Sequence, residues 1–214
     1  MTIFFILSIL NIQKGCMFLN QYFTNNDQLK SERRVITYYY GSTCYEFLSD
    51  HGVFSKSKID FGSITLMETY LKNRKDLKSF LDVGCGYGFI SIVLAHELKI
   101  TGVGVDVNLR ALELAKENAK LNQVSVSFKE SNIYENVQGT FDLIITNPPI
   151  RAGKQVVLDI LLGAKNHLQP EGELWAVIRK DQGAKSIIKA LLGTYQVEIK
   201  EKNKGFYVFC CKSN

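Results

Sequence analysis

A chain of 214 residues, 46% of them hydrophobic, can fill one full core and leaves room for only a small second one. Its formal charge of +5 is unevenly spread, net +3 over residues 1–75, −3 over 76–149 and +5 over 150–214, which suits a nucleic-acid partner and equally an ordinary solvated surface. Five cysteines (Cys16, Cys44, Cys85, Cys210, Cys211) without a CxxC pair and three scattered histidines (His51, His96, His167) exclude a disulfide framework and a zinc site and fit a reduced cytoplasmic compartment.

The opening MTIFFILSIL is apolar but too short to span a bilayer, and it has neither a positive leader nor a small-residue cleavage site, so a non-anchoring segment is expected. Met17 begins a more ordinary stretch, so residues 1–16 are expected to be an apolar extension upstream of a second start site at Met17. Residues 17–63, containing TYYYGSTCYEFLSDHGVFSKSKIDFGS, are aromatic, basic and irregular, and are expected to form a small β-rich segment on the substrate side that covers the edge of a sheet. Ile64, Met67, Tyr70 and Leu71 then recur at helical spacing, so a helix leads into the main domain, residues 64–214.

From residue 79 onward the pattern alternates. Strands are expected at 79–83, 101–106, 124–129, 141–146, 173–179, 196–200 and 205–211, and helices at 88–98, 109–122, 154–168 and 182–192. In RALELAKENAKLN, Leu112, Ala115 and Ala119 form an apolar stripe widened by Ala111 and Leu114, as a helix lying on a sheet requires. The alternation implies an α/β fold with a Rossmann-like, mostly parallel seven-stranded sheet covered by helices on both faces. The last two runs read as a hairpin that supplies one antiparallel edge strand, and Trp175, inside an apolar strand, reads as core.

FLDVGCGYG places Gly84, Gly86 and Gly88 between a strand and a helix, where missing Cβ atoms permit a tight turn and close approach of a ligand to main chain. A dinucleotide fingerprint would need its third glycine at the position of Phe89. Asp82, two residues ahead of the first glycine, is a poor neighbour for pyrophosphate and a good one for ammonium and sulfonium groups, which points to S-adenosylmethionine (SAM). Asp106 ends the second strand, 22 residues past Gly84, where a carboxylate accepts both ribose hydroxyls; Asn108 is better placed to cap the helix that follows. Cys85 and Val107 flank these positions on the cofactor side, and Asn132 with the backbone of Ile133 is placed to bond the adenine edge.

LDVGCGYG, GVDVN and NPPI together resemble the class I SAM-dependent methyltransferases, and the Asn-Pro-Pro form resembles the branch that methylates planar amino nitrogens. Such a nitrogen is conjugated and nearly non-nucleophilic. The resemblance makes Asn147 and Pro148 catalytic: the Asn147 side-chain oxygen and the Pro148 carbonyl each accept one N–H and favour the tetrahedral, developing-cation form, while the prolines keep both acceptors aimed. Asn147 then also borders the cofactor.

GVFSKSKIDFGS, ITNPPIRAGK and GELWAVIRKDQGA narrow the resemblance to the single-domain form of the bacterial 16S rRNA guanine-N2 methyltransferase family, without the degenerate methyltransferase-like domain that longer members carry in front. That resemblance implies 16S rRNA or the small ribosomal subunit as partner, a metal-free cytoplasmic enzyme without membrane contact, and favours a monomer. It assigns Phe54, Pro149 and Ile150 to the base pocket and Arg151 and Lys154 to rRNA phosphate, with Lys56, Lys180 and Gln182 as secondary candidates. Three alternatives stay open: a protein glutamine N-methyltransferase, whose relatives typically carry tyrosine where this chain has Ile150; a non-catalytic SAM-binding RNA module; and a nicotinamide oxidoreductase.

Overall fold

The computed structural model of the chain describes residues 30–213, so the expected extension over residues 1–16 lies outside the described residues. An antiparallel hairpin, β1 (Arg34–Tyr40) and β2 (Thr43–Ser49), comes first and turns at Gly41 with φ 57°. Helix α1 (Phe61–Asn73) leads into β3 (Phe80–Val83), α2 (Phe89–Leu98), β4 (Gly102–Asp106), α3 (Leu109–Leu121), β5 (Val126–Glu130) and β6 (Phe141–Thr146). The chain then runs through α4 (Lys154–Gly163), β7 (Leu168–Arg179), α5 (Ala184–Leu191), β8 (Tyr195–Asn203) and β9 (Phe206–Ser213).

Seven strands form one sheet in the order β5-β4-β3-β6-β7-β9-β8. β3 lies centrally and all four of its residues are buried, so the run Phe80-Leu81-Asp82-Val83 is apolar on both faces except at Asp82. Strand pleating sorts the core into two layers. Phe80, Leu143, Ile145 and Trp175 face α1, α2, α3 and the hairpin, whereas Leu81, Val83, Ile144 and Leu174 face α4 and α5. Trp175 is core, as expected, and its Nε1 donates to Glu173 Oε2 at 2.9 Å. Chain order reverses beside β3, between β4 and β6. In open α/β sheets the crevice at the carboxyl ends of the strands flanking such a reversal receives the ligand.

Three boundaries differ informatively from the expected ones. α1 begins at Phe61, three residues before the periodic stripe, because Asp60 caps it by accepting Ser63 N at 2.9 Å. α4 stops at Gly163 and tightens into a 3-10 turn over Ala164–His167; β7 then starts at Leu168 and carries a register shift opposite Phe141 and Leu143, where Pro170, Glu171 (φ 66°) and Gly172 interrupt regular pairing. The expected C-terminal hairpin is β8–β9, turning on Lys204 and Gly205, both at positive φ. Its antiparallel member, β9, slots between β7 and β8, so β8 forms the outer rim.

The N-terminal hairpin packs on the helical layer and not, as expected, over the edge of the seven-stranded sheet, because its aromatic side chains find partners on α2 and its backbone on α3. Tyr38 and Phe47 meet the Phe89 ring edge-on at 5.1 and 5.4 Å, and Tyr45 meets His96 at 5.3 Å. Asn118 of α3, fully buried, holds it there: Oδ1 accepts Leu48 N at 2.7 Å, and Nδ2 donates to Leu48 O at 3.0 Å and to Tyr87 O at 2.9 Å. Asn118→Leu would leave these backbone groups without partners, so we expect a loss of about 3 kcal/mol in urea unfolding. A loss under about 1 kcal/mol would show that water or a shifted hairpin satisfies them. Among the described residues no helix is long and apolar enough to cross a membrane.

Candidate active site

The end of β3 builds one wall of the site. Gly84, Gly86 and Gly88 all have positive φ (74°, 54° and 89°), which only glycine adopts without strain. Gly84 N and Cys85 N donate to Val105 O at 2.8 and 3.0 Å, and Gly86 N donates to Asp106 Oδ2 at 2.8 Å, tying the loop to β4. A Cβ on Gly84 or Gly86 would meet nothing within 4 Å, so both present bare main chain to an open cleft. Gly88 lies behind the cleft: a Cβ there would press on Ile92, Phe128 and Ala115 at 3.1–3.2 Å, and its absence lets α2 pack closely.

Asp82 is 1% exposed and accepts the Ser91 hydroxyl at 2.6 Å. Burial pushes its carboxyl up to about 7, Ser91 pulls against that shift, and the nearby Asp106 adds to it. Asp106 is also raised by burial, opposed by backbone N–H groups of Asn108, Gly86 and Val107. Asn108 caps α3 through Ala111 N at 3.1 Å, which leaves Asp106 to the cleft, with Gly86 N on Oδ2 at 2.8 Å and Asn108 N on Oδ1 at 2.9 Å. Neither Asp82 nor Asp106 forms an ion pair with a described residue, and both line the cleft. Glycine main chain open to solvent beside two cation-free carboxylates fits the methionine and ribose portions of SAM. Asn132 and Ile133, the latter at φ 54°, line the same end after β5; the Asn132 amide donates to Glu135 at 2.8 Å.

The opposite wall comes from the end of β6. Thr146 Oγ1 donates to Val83 O at 2.8 Å, anchoring the strand end next to β3. Asn147 Nδ2 donates to Asp60 Oδ2 and to Ser63 Oγ, both at 2.9 Å. These two acceptors fix the amide orientation, so nitrogen faces α1 and Oδ1, which accepts nothing from the described residues, is left for a ligand. The Pro148 carbonyl likewise accepts no hydrogen bond from the described residues. Pro149 then enters the 3-10 turn Ile150–Ala152, closed by Ala152 N donating to Pro149 O at 2.9 Å.

A cleft of about 660 Å³ joins the two walls. It brings together Phe54, Asp82, Gly84, Cys85, Gly86, Asp106, Val107, Asn132, Ile133, Asn147, Pro148, Pro149, Ile150, Arg151 and Gln182 from the expected set. Phe54 is 50% exposed at the mouth, so it is not core. Lys154 opens α4 on the exposed surface outside the cleft, and Lys56 and Lys180 are also outside it.

Asp60, Ser63, Arg179 and Phe206 line the cleft without having been singled out. The signal for the first two was present, since Asp60 and Ser63 have the spacing of a helix cap ahead of the apolar stripe. Phe206 had no local signal: β9 carries it across the sheet, where its ring lies 5.7 Å from Phe61 and 5.6 Å from the Arg179 guanidinium. Gly62 makes room, because a Cβ there would sit 2.8 Å from Phe206.

Comparison with known proteins places this geometry in context. The model of the methyltransferase small domain matches residues 44–210. The uncharacterized protein YbxB of Bacillus subtilis is 40% identical over 196 residues, 89% of this chain and 97% of that protein. The ribosomal RNA small subunit methyltransferase C of Erwinia tasmaniensis is 35% identical over 151 residues, 68% of this chain but 44% of its own length. The solved T. thermophilus 16S rRNA N2 G1207 methyltransferase, in complex with AdoMet and guanosine, shares the fold with a TM-score of 0.75 at 24% identity, over 87% of this chain and 52% of that one. The chain thus spans about half the length of the relatives named for the small-subunit rRNA reaction.

Proposed function

The chain belongs to the methyltransferase small domain family and is a class I SAM-dependent methyltransferase, and from that premise we propose that it methylates the exocyclic N2 amine of a guanine in 16S rRNA of the small ribosomal subunit. The observation that carries the reading is the Asn147 amide, locked by Asp60 and Ser63 with its oxygen spare, beside the uncommitted carbonyl of Pro148. Two fixed acceptors suit an NH2 group whose lone pair must leave conjugation. The naming of the Erwinia tasmaniensis relative and the guanosine in the T. thermophilus structure support guanine in rRNA as the carrier of that amine.

Bound SAM supplies an electrophilic methyl group on a sulfonium. Asp82 would hold its ammonium end, the Gly84–Gly86 main chain its methionine portion, Asp106 the ribose, and Asn132 and Ile133 the adenine. Asn147 Oδ1 and Pro148 O take the two N–H groups of the target amine, turning its lone pair toward the methyl and sharing the positive charge that develops on nitrogen. The extra N–H proton then leaves to solvent, so no strong general base is needed. Phe54, Ile150 and Phe206 form the apolar, aromatic surround of the base, and Arg151 and Arg179 sit on the rim where phosphate would pass.

The test is nucleoside analysis of small-subunit rRNA after incubating the protein with SAM and subunits from a strain lacking the gene. New N2-methylguanosine is the expected result. Its absence with SAM binding intact would overturn the rRNA reading and move the target to a protein amide or the chain to a non-catalytic assembly role.

A further inference from the structure

We propose that Asp60 is a specificity-determining residue that accepts the N1–H of the target base and so selects guanine over other planar amines. This rests on the guanine reading above. Asp60 Oδ2 is committed to Ser63 N and to Asn147 Nδ2, each at 2.9 Å, with Ser63 Oγ at 3.4 Å. Among the described residues no donor reaches Oδ1 and no Lys or Arg pairs with the carboxylate, and the residue lines the cleft beside the amide that would hold the amine. A carboxylate with a spare oxygen next to an amide with a spare oxygen is a row of acceptors.

Guanine presents the complementary row, with its N2 amine and N1–H donating side by side. Adenine presents an amine beside an N1 lone pair, and a glutamine amide presents its NH2 beside a carbonyl oxygen. Both would set a lone pair against the Asp60 carboxylate. The residue therefore acts by attraction toward one base and repulsion toward its competitors, which is how a small site achieves discrimination. Its two commitments through Oδ2, to the head of α1 and to Asn147, hold the carboxylate in register with the catalytic amide.

The experiment compares guanine with 2-aminopurine at the target position of otherwise identical small-subunit rRNA, since 2-aminopurine keeps the N2 amine and lacks N1–H. The unsubstituted protein should favour guanine by about 10- to 100-fold in kcat/KM. In Asp60→Asn, which keeps a good helix cap and an acceptor for Asn147, that ratio should collapse toward unity, and Asp60→Ser should do the same. Rates that fall equally on both substrates, with the ratio unchanged, would overturn the proposal and leave Asp60 as a positioning residue for Asn147. No transfer to guanine by the unsubstituted protein would instead overturn the reading on which the proposal rests, and the proposal with it.

Discussion

Asn147→Ala is expected to lower kcat for methyl transfer by about 10³-fold while SAM affinity changes by less than about threefold. In the proposed reaction the amide oxygen is one of two acceptors for the amine on which charge develops, and removing a single such group typically costs about 10²–10³ in rate. The loss here should reach the upper end because the substitution does a second thing: it strips Asp60 Oδ2 and Ser63 Oγ of their shared donor, freeing the α1 end of the cleft to relax. Cofactor affinity is spared because Asp82, the glycine main chain and Asp106 belong to β3 and β4, and Thr146 still bonds to Val83 O to hold the end of β6. Asn147→Asp should be no better, since it places a second carboxylate against Asp60 and offers no N–H. Single-turnover kinetics alongside calorimetric SAM titration separates the two quantities. A large loss of SAM affinity with kcat preserved would mean that Asn147 serves the cofactor and not the amine.

How much of this was legible in the sequence depended on how local the signal was. The alternation of strands and helices could be read because each element carries its own periodic or continuous apolar run, of which β3, buried on both sides, is the shortest. The position of Asn147 and Pro148 on the cleft at the end of β6 was legible for the same reason, as two prolines fix the backbone over a few residues. The placement of β9 between β7 and β8 was not, because pairing across the sheet leaves no local mark on either strand. Phe206 escaped with it. β7 was expected to start at Glu173, yet it starts at Leu168 and tolerates Pro170 and Gly172 by breaking register opposite Phe141. Asp60 was missed for another reason: the apolar stripe of α1 begins at Ile64, and the cap spacing of Asp60 and Ser63 just ahead of it marks a helix start without marking a cleft. Gly88 shows the converse, a motif glycine whose missing Cβ serves the packing of α2 and not the cleft.

Asp82→Asn is expected to do two opposite things, weaken SAM binding by about 30- to 100-fold and stabilise the ligand-free protein at pH 8. The carboxylate is buried, has the Ser91 hydroxyl but no cation as partner, and titrates near 7 against 3.8 for an ordinary aspartate. A folded-state value above the unfolded one means that the folded chain holds the proton more tightly. Stability from this group is therefore full below about pH 4, falls as pH rises, and is lost above about 7, a penalty of about 4 kcal/mol once Asp82 is ionised. The neutral amide escapes that penalty, so the melting temperatures of the two proteins should be closest at the acid end, below about pH 4, and diverge progressively toward pH 8 in favour of the variant. Binding runs the other way. A ligand ammonium needs the ionised carboxylate, so SAM affinity should rise with pH up to about 7, with proton release visible as a buffer-dependent heat below it, and Asp82→Asn should abolish both the slope and the release. Both results together would identify Asp82 as a binding group, a buried carboxylate that destabilises the empty protein and gains its cationic partner from the ligand. A variant less stable than the unsubstituted protein at pH 8, with SAM affinity intact, would make Asp82 a structural anchor for α2 through Ser91.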